Sequence, residues 1–139
     1  MTDRVRLDGD SVRLALPDDA TAPGIARRSV RATLTRWQLP KLVDACVLAA
    51  SELVTNARLH GRPPVGLLLR RTVGGVRLEV NDGDPHLSAR PVEEGSPDVA
   101  ESGRGLDIVG AVSDDTWCER IPGDGKTVVA SWRTRPRTP

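Results

Sequence analysis

The sequence predicts a two-layer α/β sandwich: a mixed, mostly antiparallel sheet covered on one face by helices. Three observations predict it. Two long stretches carry apolar residues at helical spacing, five short runs have strand character, and four of those runs form two sequence-adjacent pairs joined by turns. Strands joined by short turns pair antiparallel, and amphipathic helices between the strands bury their apolar stripes by lying on one sheet face.

Residues 11–16 alternate polar and apolar as a half-buried strand, ended by Pro17, Asp18 and Asp19. From Thr21 to Trp37, Ile25, Val30, Leu34 and Trp37 recur near helical spacing between Arg27, Arg28, Arg31 and Arg36, which gives an amphipathic helix. Pro40 opens a second helix that runs to about Leu59, with Gly61 as its stop. Val65–Thr72 and Val76–Asn81 flank Gly74-Gly75 as a hairpin. Residues 82–103 hold many glycines, prolines and acids and read as a long functional loop. Gly105–Val112 reads as a short helix, Thr116–Ile121 and Thr127–Arg133 as a closing hairpin, and the tail from Thr134 as frayed.

Composition narrows the function classes. A chain of 139 residues fits one domain and needs no metal or disulfide staple. With Trp37, Trp117 and Trp132 its only aromatic residues and a net charge of +1, it lacks both a base-stacking surface and a basic face for nucleic acid. Lys41 and Lys126 are its only lysines, which reads as codon usage in a GC-rich genome. Cys46 and Cys118 lack partners at metal-ligand spacing. No apolar run spans a bilayer and no signal pattern opens the chain, so a cytoplasmic protein is expected.

Four segments carry chemistry. In Ser51-Glu52-Leu53-Val54-Thr55-Asn56-Ala57, Glu52 and Asn56 lie one helical turn apart, and His60 continues their stripe. The stripe either faces solvent or gathers oxygens for a hard cation such as Mg²⁺. In Asp82-Gly83 an acid closes a β-run, either as an ordinary turn or as a carboxylate at a pocket mouth. Gly103-Arg104-Gly105-Leu106 runs into a helix, where free backbone N–H groups suit phosphate. Gly125-Lys126-Thr127 is not a P-loop, because Arg120 stands where a glycine is required and Thr127 enters a strand.

The order of these segments resembles that of the histidine-kinase-like ATPases, the GHKL or Bergerat fold. Ser51–His60 looks like the family's N box, Asp82-Gly83 its first glycine box and Gly103-Arg104-Gly105-Leu106 its second. The Ser-Glu-Leu-Val-Thr-Asn-Ala segment and Gly-Lys-Thr-Val in the last strand are similar to the small stand-alone bacterial branch, the RsbW-type anti-sigma-factor serine/threonine kinases. The resemblance covers about residues 12–133 and implies roles. Asn56 would hold Mg²⁺ on the ATP phosphates, and Glu52 would be the catalytic base. Asp82, followed by Gly83, would accept from the adenine amino group, and Thr127 would support the adenine site. Gly103, Arg104, Gly105 and Leu106 would wrap the phosphates, and 84–102 would be the ATP lid. Departures are Asp84-Pro85 where a further glycine is usual, Trp117-Cys118 where Trp-Gly is common, and Arg58, either a surface arginine or a phosphate contact.

The resemblance further implies a sigma factor and an anti-anti-sigma antagonist as partners, a homodimer, and no direct contact with nucleic acid or membrane. The alternative is an ATP-gated protein-binding module without significant kinase activity. Arg27, Arg28 and Arg31 either meet an acidic partner or form a solvated helix face.

Overall fold

Alternation of Val12, Leu14 and Leu16 with Arg13 and Ala15 makes one face of the first full strand apolar, and the architecture grows from covering that face. The structure is a computed structural model and describes residues 6–7, 10–83, 106–121 and 125–134. Its elements are β1 (Arg6–Leu7), β2 (Ser11–Leu16), α1 (Ala22–Arg36), a 3₁₀ turn (Pro40–Leu42), α2 (Val43–His60), β3 (Val65–Thr72), β4 (Gly75–Asp82), α3 (residues 106–112), β5 (Asp115–Ile121) and β6 (Gly125–Arg133). The strands form a six-stranded sheet of order β1-β2-β3-β4-β6-β5, in which every neighbouring pair is antiparallel.

The expected sandwich is present, and the sheet is antiparallel throughout where a mixed one was expected. Local differences have local causes. Pro40 opens a 3₁₀ turn before the α-helix begins at Val43, because Gln38 takes a left-handed conformation (φ 61°) that breaks the chain between the two helices. β1 was not anticipated, since two residues are too few for periodicity to register. Residues 84–102 and 135–139 of the anticipated loop and tail lie outside the described residues.

One core joins the layers. Val30 and Leu34 of α1, Leu53 and Val54 of α2, and Leu67, Leu69, Val76 and Leu78 of the sheet are each at most 2 % exposed. Each such side chain contributes about 1.5–3 kcal/mol relative to exposure. Trp132 of β6 donates from Nε1 to the Val112 carbonyl at 2.6 Å, which fixes α3 against the last strand with Val109 buried beneath it.

The opposite sheet face is polar. Arg77 stacks over Trp117 and pairs with Glu79 at 2.9 Å and Glu119 at 3.4 Å, a lattice that shields the fully buried Val129. A hollow of about 210 Å³ beside Arg13, Ala15, Gly66 and Asn81 also opens on this side.

Truncating the centre of the core tests the arrangement. Leu78→Ala is expected to lower unfolding stability by about 2–5 kcal/mol in urea denaturation, because Leu78 is fully buried on the strand against which α2 packs.

Candidate functional site

α2 has three differently used flanks. Cys46, Val47, Ala50, Leu53, Val54 and Ala57 face the sheet and are buried. Ser51 lies on the α1 side, where its hydroxyl accepts from Arg27 Nη1 at 2.9 Å. Glu52 and Asn56 occupy the far flank, both half-buried, with His60 exposed beyond them. Asn56 Nδ2 is buried without a hydrogen-bond partner among the described residues. Leaving such a donor unsatisfied costs about 1–3 kcal/mol; the Nε atoms of Arg58 and Arg77 are also buried without a hydrogen-bond partner among the described residues.

The end of α2 runs directly over the end of β4. Asp82, the last residue of β4, is 1 % exposed. A Cβ added to Gly61, the helix stop, would lie 2.5 Å from the Asp82 carboxylate, so glycine is what lets the helix end close over it. Gly83 N–H donates to the Arg62 carbonyl at 2.7 Å and secures the same junction. From the other side Gly125 approaches with φ +94°, and a Cβ there would meet the Asp82 carbonyl at 2.0 Å. Three glycines thus hold a buried carboxylate between a helix end and two strands.

The strand register decides what else reaches this carboxylate. Asp82 pairs with Lys126 and Asn81 with Thr127. Directly paired residues project to one sheet face. Lys126 therefore shares the helix face with Asp82, and its Nζ lies 3.8 Å from Asp82 Oδ2. Thr127 is buried on the opposite face with Asn81 and Glu119, so the register does not bring its side chain to Asp82. Lys126 is the residue that the sequence analysis missed. The pairing of β4 with β6 is the signal that finds it.

Of the second glycine segment, Leu106 is half-buried and packs against the core at the start of the described part of α3. Gly103, Arg104 and Gly105 lie outside the described residues. Arg58 is directed away from Asn56. It stands near Asp19, whose carboxyl is held below the ordinary range first by the Thr21 hydroxyl, then by the Thr21 backbone N–H, with a further contribution from Arg58.

These features fit a bound nucleotide and a cation. Asn56 presents a buried Nδ2 donor without a partner, which suits a phosphate oxygen, Glu52 a carboxylate one turn away that suits a cation, and Asp82 a shielded acceptor at the end of the same helix. No group of three or more metal-ligating side chains occurs among the described residues.

A sheet layered with helices and a polar helix flank beside a buried strand-end acid define a nucleotide-binding α/β domain. The family model for the histidine kinase-like ATPase domain matches residues 15–132, and the chain belongs to that family of ATP-binding domains. No curated protein matches the sequence. No helix among the described residues is long and apolar enough to cross a membrane.

Two predictions follow from the packing. Gly125→Ala combines a left-handed backbone with a backbone clash and is expected to cost more than about 2 kcal/mol in denaturant unfolding. Burial pushes the Cys46 thiol up to about 12 and also raises that of Cys118, whose side chain nonetheless reaches solvent where Cys46 does not. At pH 8, thiol labelling of the native chain should therefore modify Cys118 alone, and Cys46 should react only after unfolding, as read by mass spectrometry.

Proposed function

We propose that the chain is an anti-sigma factor and serine/threonine protein kinase that uses MgATP to phosphorylate an anti-anti-sigma partner. The observation that carries the reading is the pairing, on one half-buried flank of α2, of the Glu52 carboxylate with the unpartnered Asn56 amide. Phosphoryl transfer demands positioning and charge neutralisation above all, together with a group to accept the hydroxyl proton. Bound MgATP would supply the transferable phosphoryl group and the charge that offsets it. Asn56 would hold the cation through its amide oxygen. Glu52 would orient the acceptor serine hydroxyl and take its proton as the serine oxygen bonds to the terminal phosphorus, whose bond to the β,γ-bridging oxygen would break to release ADP. Asp82 would accept from the adenine amino group, and the Gly103-Arg104-Gly105 segment would cradle the phosphates ahead of α3.

A protein acceptor is favoured over water by the surroundings of Glu52. Leu48 and Leu59 share its outward side of α2 and are 41 % and 62 % exposed. Large apolar side chains left in solvent beside a general base suit a docked protein surface. The same leucines also fit the second reading, an ATP-gated binding module that captures a partner without modifying it. A homodimer and a cytoplasmic setting belong to the first reading.

Three measurements test the proposal. MgATP at about a hundred times its dissociation constant should raise the melting temperature by several degrees, corresponding to ~2.7 kcal/mol. Asp82→Asn should weaken ATP binding by about tenfold or more, through loss of a charged acceptor. Glu52→Ala should retain ATP binding and lose transfer of labelled phosphate to a serine of the antagonist. Partner regulation that survived intact in Glu52→Ala would favour the binding module.

A further inference from the structure

The family reading gives the base end of the site Asp82 and Thr127, but the β4–β6 register turns the Thr127 side chain to the opposite sheet face and leaves the Asp82 carboxylate. The structure puts a second group beside it. Lys126 pairs with Asp82 across β4 and β6, projects to the same face, and carries its ammonium 3.8 Å from Asp82 Oδ2. Asp82 is 1 % exposed and the Lys126 side chain 25 %, so the ammonium lies at the boundary between the buried acid and the open side of the site.

The chemical consequence concerns base choice. A lone buried carboxylate is an acceptor only. It matches the amino group of adenine and repels the carbonyl oxygen that guanine carries at the equivalent ring position. A site that leaves a ligand acceptor facing an acceptor rejects that ligand strongly, by about 10⁴-fold or more where buried groups go unpaired. An ammonium beside the carboxylate changes the match. Adenine can donate its amino hydrogens to Asp82 while a ring nitrogen accepts from Lys126. Guanine can donate its ring N–H to Asp82 while its carbonyl oxygen accepts from Lys126. The pair offers one acceptor and one donor, and each purine edge presents one of each.

We propose that Lys126 is a base-reading residue of the nucleotide site, and that with Asp82 it makes the site accept guanine as well as adenine nucleotides. This rests on the reading that a purine base meets Asp82, and the test separates the two. Lysine suits the role better than arginine, because a compact ammonium on a flexible stem can serve either a ring nitrogen or a carbonyl oxygen.

The test is calorimetric titration of the full chain with MgATP and with MgGTP, followed by the same titrations on Lys126→Met and Lys126→Arg. The expected result is that the wild-type chain binds both, with GTP weaker by no more than about tenfold. Lys126→Met should then lose GTP by more than about a hundredfold while keeping ATP within about tenfold. Lys126→Arg, which retains a donor, should keep GTP binding. Wild-type protein that binds ATP but discriminates against GTP by more than about a hundredfold overturns the proposal without any variant, and leaves the ATP reading standing. An unchanged ATP-to-GTP ratio in Lys126→Met overturns the role of Lys126 alone. Binding of neither nucleotide removes the underlying reading and the proposal with it. Melting curves of each variant show whether a lost affinity reflects lost folding.

Discussion

The closure of the α2 C-terminus over the end of β4 is the constraint on which the site depends. It brings a helix whose far flank carries Glu52 and Asn56 down onto the strand that ends in Asp82. The approach is possible because Gly61 has no side chain to strike the carboxylate and because the Gly83 N–H reaches the Arg62 carbonyl. Any larger residue at position 61 would lever the helix end away. The polar stripe and the acid would then no longer lie at one end of the same helix–strand junction. Packing of Leu53, Val54 and Ala57 on the sheet supplies the force that holds the helix down, and the glycines set how far down it can come.

Asp82 is buried where a carboxylate is normally expensive. Its neighbours make that tolerable. Lys126 supplies opposite charge at 3.8 Å, at a site still partly open to water. A buried pair of this kind seldom adds much net stability, because desolvating both charges offsets their attraction. Its presence is better explained by what the carboxylate must do than by what it contributes to folding. The unpartnered Asn56 amide has the same logic. Two polar groups carry a folding penalty on the two elements that face the candidate site. On the outer sheet face Arg77 forms ion pairs with Glu79 and Glu119, although its Nε, like that of Arg58, makes no hydrogen bond among the described residues.

Much of this was legible in the sequence, and the boundary of legibility is physical. Helical spacing is a local property, so the common flank of Glu52 and Asn56 could be counted directly. A strand-ending acid followed by glycine is local too, and Asp82 stood out for that reason. Gly61 was legible as a helix stop, but its contact with the carboxylate depends on how the helix docks, which no local pattern encodes. The same holds for Arg58, whose position beside Asp19 follows from the packing of the β2–α1 connection on α2. Lys126 and Thr127 show the limit most sharply. They are adjacent in sequence, and the register between β4 and β6 alone decides which of them shares a face with Asp82. A slip of one residue would exchange them. Lys126 also looked like an accident of codon usage, one of only two lysines among 20 basic residues, until pairing placed it beside the acid.

β6 acts as the common reference for both sides of the site. At its start, Gly125 and Lys126 set the surroundings of Asp82. Near its end, Trp132 holds the Val112 carbonyl at the end of α3, the Ser131 carbonyl accepts from the Asp114 N–H, and the Arg133 N–H donates to the Asp114 carboxylate at 2.6 Å. α3 is therefore referenced to the same strand that carries Lys126, the cross-strand partner of Asp82. The β4–β6 ladder runs unbroken from Gly75–Arg133 to Asp82–Lys126, so the spacing between these two sets of contacts is set by a continuous backbone rise. Side chains can adjust by rotamer changes, but that spacing cannot change without breaking the ladder. A long ligand that must be gripped at its base and at its opposite end needs a ruler of this kind, and an antiparallel pair buried under two helices is among the stiffest the chain can provide.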